Sequence, residues 1–174
     1  MVFDVRLYGD PVLRKTAEPV EKFDDNLKRL VEEMNETLRA EDGVGLAAPQ
    51  VGKSVKVVVI DTTNGEAEPV VLVNPVIVES SEEMITSEEG CLSVPGISLS
   101  VPRHAVVTVK AFDLNGKEFK IEKADGLMAK ALQHEIDHLN GIMIVDHVSV
   151  LQRTMLSSKL KKMAKSGRDK SQVS

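Results

Sequence analysis

The 174 residues hold a single cysteine, no tryptophan and only 3% aromatic residues. One thiol cannot close an internal disulfide, so a disulfide-stapled scaffold is excluded and a reducing compartment is expected. With so few rings, a core must be filled by Val, Ile, Leu and Met. No apolar run approaches the ~20 residues that span a bilayer. The opening MVFDVRLYGD has neither the basic start nor the apolar stretch of a secretory signal. A cytoplasmic protein with no membrane partner is therefore expected. Internal repeats, low-complexity blocks and linkers are missing too, and no glycine spacing matches a phosphate-binding loop. What is present is globular in character: 42% hydrophobic and 28% charged residues, at a length that suits one domain with a real core. That domain is expected over residues 1–166, with 167–174 a disordered tail. The net charge of −5 is uneven. Residues 149–174 carry seven Lys or Arg against Asp169 alone, a balance of +6 that leaves −11 for the rest. Such a run is either the solvated face of a terminal helix or a basic interaction surface.

The densest chemistry lies in GLMAKALQHEIDHLNG, residues 126–141. Good helix formers from Leu127 to Leu132 follow a candidate N-cap at Asp125, and Asn140-Gly141 supplies the stop. On a helix Leu127, Ala131, His134 and His138 share one narrow stripe. Two neutral imidazoles one turn apart can grip a transition metal, and Glu135 lies close enough to work on a water held there. Because the stripe is partly apolar, a closed pocket is favoured over an open surface site.

Elsewhere the chain alternates short signals. Gly9-Asp10-Pro11 predicts a turn into a short helix. Asp24 or Asp25 can cap a helix to about Ala40, whose Leu27, Leu30, Val31, Met34 and Leu38 keep the spacing of a packed face. Residues 41–52, EDGVGLAAPQVG, read as a glycine turn. Strands are expected over 55–61, 70–78, 97–101, 105–112 and 118–122, with Asn64-Gly65 and Asn115-Gly116 as hairpin punctuation. Their density argues for antiparallel sheet. Ser149 can cap a last helix to about Lys165.

A catalytic centre needs a third protein ligand. The extended protease pattern would put a histidine where Ile144 stands, and the thermolysin-like arrangement needs a later glutamate, of which there is none after Glu135. Asp137 points off the histidine stripe. Asp146 and His147, just beyond the helix stop, stay open as ligands. So does Cys91, in a glycine-flanked segment upstream, whose thiolate is a strong donor to zinc or ferrous iron.

Three stretches, GVGLAAPQ (43–50), EGCLS (89–93) and QHEIDH (133–138), resemble in order and spacing the signature motifs of the peptide deformylases, in their compact bacterial form. The resemblance runs from Gly9 to about Ser149. It implies an α+β domain with antiparallel strands packed around a central metal-binding helix and helices at both ends. The implied activity is hydrolysis of the N-formyl group from the formylmethionine of nascent polypeptides. By the same resemblance Cys91, His134 and His138 hold a divalent metal, Fe²⁺ in the cell with Zn²⁺ or Ni²⁺ after isolation. Glu135 shuttles the proton, and the Gln50 amide and Leu92 N–H bind the oxyanion. The backbones of Val44, Gly45 and Gly90 pair with substrate, and Val44, Leu127, Ala131 and the His134 ring line a methionine pocket. Glu89 is expected to pair with Arg103. Ser98 departs from the arginine some members place there, and His104 and His147 are expected on the surface. The basic final helix resembles the part of some relatives that docks on ribosomal RNA. The rivals are a zincin-like metallopeptidase and a catalytically retired ribosome-binding domain.

Overall fold

In the computed structural model, which describes residues 1–173, the centre of the architecture is a strand with no polar face. Strand β2 (Val57–Ile60) is VVVI and wholly buried. Alternation cannot show in it because both sides are covered. Val58 and Ile60 pack with Leu132, Ile136 and Leu139 of helix α2 (Gly126–Leu139), while Val57 and Val59 pack with Leu27, Val31, Met34 and Leu38 of helix α1 (Asp25–Ala40). The sheet is thus held between two helices. Removing a side chain as enclosed as Met34 or Leu132, each 0% exposed, costs about 2–5 kcal/mol.

That sheet has five antiparallel strands in the order β1 (Gly45–Ala47), β2, β3 (Val70–Ser80), β6 (Val107–Phe112) and β7 (Glu118–Ala124). Between β3 and β6 the chain leaves to form a separate hairpin, β4 (Met84–Cys91) with β5 (Val94–His104). Strand β5 alternates, and its inward Val94, Ile97, Leu99 and Val101 join Leu13, Met143, Ile144, Val145 and Leu160 in a second core under the C-terminal segment. Strand β3 carries a bulge at Asn74, whose φ is 51°. There the Asn74 side chain accepts from Val20 N–H and donates to Val20 C=O, fastening the N-terminal arm.

The α+β architecture stands as expected, with differences at its margins. Asp24 caps α1 through Leu27 N–H, and Asp10 caps the turn of 3₁₀ helix Pro11–Arg14. Asp125 holds the N-cap position of α2, but its side chain makes no capping bond. Strand β1 lies in what read as a glycine turn. Strand β4 lies where no strand was expected, because Glu89 is the sole buried residue of MITSEEGC. The last helix is broken at Leu156 into α3 (Val150–Met155), capped by Ser149, and α4 (Ser157–Val173). Helix therefore continues well past Lys165, to Val173, through the stretch expected as a disordered tail from residue 167; Ser174 lies outside the described residues. Gly167 explains the continuation. It is buried, and a Cβ there would sit 2.7 Å from Leu7 O, so only glycine lets α4 lie directly on the N-terminal arm.

Candidate metal centre

Helix α2 carries its histidine stripe from solvent into the interior. Leu127 is 45% exposed, Ala131 is 7% exposed and His138 is 1% exposed, so the stripe runs from the surface inward, with His134 only partly buried on it. The helix is locked in rotation by Gln133, which accepts from His104 N–H and donates to His104 C=O at the end of β5. Beside the stripe the β4–β5 hairpin turns through Leu92-Ser93, with its register shift at Gly90. Bulges of this kind re-aim side chains next to functional sites. Cys91, His134 and His138 come together here, their ligand atoms all within 4.8 Å of one another. Cys91 Sγ lies 3.4 Å from His138 Nε2, close to the ~3.3–3.8 Å expected between thiolate and imidazole donors on one tetrahedral ion.

The roles of the His134 nitrogens are fixed from outside. Its Nδ1 is 3.0 Å from Glu89 Oε1, which leaves Nε2 for the centre. Glu89 in turn receives both prongs of Arg103, Nε and Nη2, at 2.9 Å each. Arg103 Nη1 also donates to Asp137 Oδ2 at 2.6 Å, and His147 Nε2 lies 2.8 Å from the same oxygen. The expected Glu89–Arg103 pair is present, and it is one link of a longer chain. Burial alone would raise the Glu89 carboxyl, but the bonds from His134 and Arg103 win and hold it at about 2. Glu135 has no such donors. Burial dominates there and pushes it up to about 7, against the pull of His134 and Arg103. Burial also keeps His138 well below its ordinary value, hence neutral and fit to coordinate. His134, also enclosed, is nevertheless raised well above its ordinary value by Glu135, Cys91 and Glu89, so around it a proton and a cation compete for the same place.

These residues form one wall of a cavity of about 490 Å³. Val44, Gly45, Gln50, Gly90, Leu92, Leu127 and Ala131 line it together with Cys91, His134 and Glu135. His138 sits behind them. Gln50 is oriented by its neighbours: Oε1 accepts from Ala47 N–H at 3.0 Å, while Nε2 points to Ser93 Oγ at 3.1 Å and Cys91 Sγ at 3.7 Å. Its donor end therefore faces the centre. Gly45 has a tight neighbour, since a Cβ there would lie 2.7 Å from Glu135 Oε2. Glu135 Oε1 is buried without a hydrogen-bond partner among the described residues, as befits an oxygen that serves something else held at the centre. A soft thiolate, two imidazoles and that orphaned oxygen fit a catalytic divalent ion with an open position.

Other candidates are placed elsewhere. Asp146 pairs with Arg14 and accepts from Met143 N–H, so it is no ligand. His147 is not the surface residue expected; it is half-buried against Asp137. His104 is likewise half-buried, with Nδ1 2.7 Å from Ser81 O. Ser98 and Ser100 both donate to Glu88 at the cavity rim. The residues missed from sequence are Lys130, Ser93 and Asp137. For Asp137 a signal existed: Arg103 falls in the inward register of β5 after Ile97, Leu99 and Val101, and a buried guanidinium has capacity for more than one carboxylate.

A helix presenting two histidines and a buried glutamate, facing a cysteine on a hairpin, defines a metal-dependent hydrolase. Comparison with known proteins gives the particular kind. The family model for polypeptide deformylase matches residues 2–154. The chain is 50% identical over 157 residues to the peptide deformylase of Brucella suis, covering 89% of each chain. It is 48% identical to that of Thermotoga neapolitana, covering 96% of this chain and 99% of the relative. The crystal structure of a peptide deformylase from Legionella pneumophila superposes with a TM-score of 0.88 at 48% identity, over 93% of this chain and 95% of the other. The chain belongs to the polypeptide deformylase family, and its activity is that of a metal-dependent deformylase. Neither the peptidase nor the retired-domain reading gains support from these relatives.

Proposed function

We propose that this chain removes formate from N-formylmethionyl nascent polypeptides in the cytoplasm, with Cys91, His134 and His138 holding one divalent ion, Fe²⁺ in the cell and Zn²⁺ or Ni²⁺ after isolation. The observation that carries the assignment is the convergence of those three side chains on one point, beside a cavity lined by Cys91, His134, Glu135 and Gln50. A divalent ion bound there supplies an acidified water and a Lewis acid for the formyl oxygen. Glu135, unpaired at Oε1 and poised near neutrality, takes the water proton as the oxygen attacks the formyl carbon. It then gives that proton to the amine nitrogen as the C–N bond breaks, leaving formate and a free N-terminus. Gln50 Nε2 and the Leu92 N–H donate to the developing oxyanion, a contribution typically worth about 3–4 kcal/mol for each donor. Glu89 and Arg103 hold the His134 ring.

The substrate backbone is read as a strand. β1 is the edge of the five-stranded sheet, and among the described residues β4 pairs with β5 alone. Both border the cavity through Val44, Gly45 and Gly90. A peptide lying between them would gain main-chain hydrogen bonds without regard to its side chains, which suits an enzyme that meets many sequences. Val44, Leu127, Ala131 and the His134 ring form the subsite for the methionine side chain.

The basic C-terminal segment supports a second, separable reading, docking on ribosomal RNA. Leu156, Leu160, Met163, Ala164 and Gly167 turn to the body, while Lys159, Lys161, Lys162, Lys165 and Arg168 are exposed. Contacts of that kind are made to phosphates and weaken with salt.

Anaerobic assay of ferrous protein with formyl-Met-Ala-Ser, beside Glu135→Gln and an acetylated control peptide, tests the chemistry. Formate from wild type alone, with the acetyl peptide spared, is expected; no formate from fully metallated wild type sinks the assignment. Cosedimentation with ribosomes at low salt, lost when Lys161, Lys162 and Lys165 become glutamate, is expected for the docking.

A further inference from the structure

Behind the methionine subsite lies a second cavity, of about 260 Å³, lined by Ile85, Ser87, Arg103, His104, Leu127 and Lys130 among others. Leu127 and Lys130 border both this cavity and the site cavity, so their side chains are the partition between the two. They stand three apart on α2, beside Ala131, and so share a face. The Lys130 ammonium is held at the boundary itself. Nζ donates at 3.3 Å to Ser87 Oγ, which lines the second cavity, and at 3.3 Å to the carbonyl of Glu88, which lines the first. Two acceptors on neighbouring residues of β4 thus draw the four-carbon stem across the gap between helix and strand. A lysine that only served solubility would extend into water, and this one is half-buried.

We propose that Lys130 sets the depth of the methionine pocket by closing it off from the second cavity, and so limits the length of the first side chain the enzyme accepts. This rests on the placement of the methionine subsite at Val44, Leu127 and Ala131. The space behind the partition equals several water volumes of roughly 30 Å³ each, enough for the end of a longer unbranched chain once the stem is gone. With Lys130 in place, such a chain must pull the ammonium from both acceptors. One methylene of misfit in an apolar pocket is worth roughly 10–200-fold in kcat/KM.

The test compares formyl-Met-Ala-Ser with the same peptide carrying 2-aminooctanoate, an unbranched residue two methylenes longer than norleucine, in place of methionine. For wild type the ratio of kcat/KM values is expected to favour methionine by on the order of 100-fold. Lys130→Ala is expected to bring that ratio to within about fivefold of unity, and Lys130→Arg, which keeps a stem and donors, to preserve it. Leu127→Ala, the other half of the partition, is expected to move the ratio in the same direction and carries the test should Lys130→Ala fail to fold. A merely structural lysine would depress both substrates alike and leave the ratio untouched. An unchanged ratio in Lys130→Ala, an equal loss in Lys130→Arg, or a wild type that takes both peptides equally overturns the proposal. Wild type inert toward formyl-Met-Ala-Ser overturns the subsite placement as well.

Discussion

Gly45 offers the sharpest perturbation of the centre, because adding one methyl group there strikes first of all Glu135, the proposed general base. A Cβ at Gly45 would stand 2.7 Å from Glu135 Oε2, 2.9 Å from its Cγ and 3.0 Å from its Cδ. Comfortable contacts between such atoms are about 3.5–4.0 Å, so the carboxylate must retreat by about 1 Å. The backbone does not object, since Gly45 is not among the positive-φ residues. Glu135 is 3% exposed and cannot simply swing into solvent. A displacement of that size in a catalytic group costs on the order of 100-fold in rate, and overpacking costs about 1–3 kcal/mol of stability. Gly45→Ala should therefore lower kcat on formyl-Met-Ala-Ser by about two orders of magnitude while retaining its metal. Elemental analysis and urea unfolding check the last two points. In a Glu135→Gln background the same methyl should cost almost nothing more, because the group it displaces is already disabled. Activity within threefold of wild type, or a loss that adds in full to that of Glu135→Gln, would refute the steric argument. A rise in KM with kcat unchanged would instead trace the effect to substrate pairing at Gly45.

Further outcomes follow from the surrounding network. Arg103→Ala leaves Glu89 and Asp137 without their buried counter-charge and should cost about 3–5 kcal/mol in chemical denaturation, with weaker metal retention because the His134 ring loses its brace. Glu89 is held at about 2 against an ordinary 4.5; its folded value is depressed, so its stabilisation is complete above about pH 4.5 and is lost as pH falls towards 2. That difference amounts to about 3 kcal/mol, and unfolding of metal-stripped protein between pH 5 and 3 should show a steeper acid limb in wild type than in Glu89→Gln. Chelation should abolish formate release, and restoring a divalent ion at a thousandfold excess over its Kd should raise stability by about 4 kcal/mol, visible as an upward Tm shift.

The parts of the fold legible in sequence were those in which one residue type repeats along a face. Helix α1 shows its packed stripe and α2 its histidines, β2 and β3 show runs of valine and isoleucine, β6 shows alternating valines, and β7 is marked by the Asn115-Gly116 turn before it. Strand β4 was invisible because its register serves the site rather than a core: the one side chain it buries is a charged glutamate, so hydrophobic periodicity has nothing to report. Strand β1 was hidden for a related reason, its small residues being dictated by the approach of Glu135 and of the neighbouring strand. Among the proposed site residues, His134, His138 and Glu135 could be read from motif spacing because they share a helix, whereas Cys91 stood open beside Asp146 and His147 until the resemblance assigned it. Lys130 could not, since its role depends on two cavities that exist only once β4 lies against α2. The orientation of the Gln50 amide was equally beyond sequence; it follows from Ala47 N–H on one side and Ser93 Oγ on the other.

The two glutamates of the centre show how such a site assigns roles without distinguishing residue type. Glu89 and Glu135 are 5% and 3% exposed, so desolvation acts on both in the same upward direction. Partners alone separate them. Glu89 accepts from a guanidinium and an imidazole and stays ionised, a fixed negative charge that orients His134 and raises its basicity as a ligand. Glu135 keeps Oε1 free of protein donors and floats near neutrality, where a group can both accept and return a proton. A divalent cation nearby favours the charged form and would draw Glu135 downward again, which readies it to accept. If partners rather than burial set the roles, an added donor should be as damaging as a lost carboxylate. Placing a hydrogen-bond donor within reach of Glu135 Oε1 should lower its pKa and shift the acid limb of kcat/KM to lower pH while slowing proton return to the leaving amine. An acid limb unmoved in a variant whose structure shows the new hydrogen bond would mean that the limb belongs to another group.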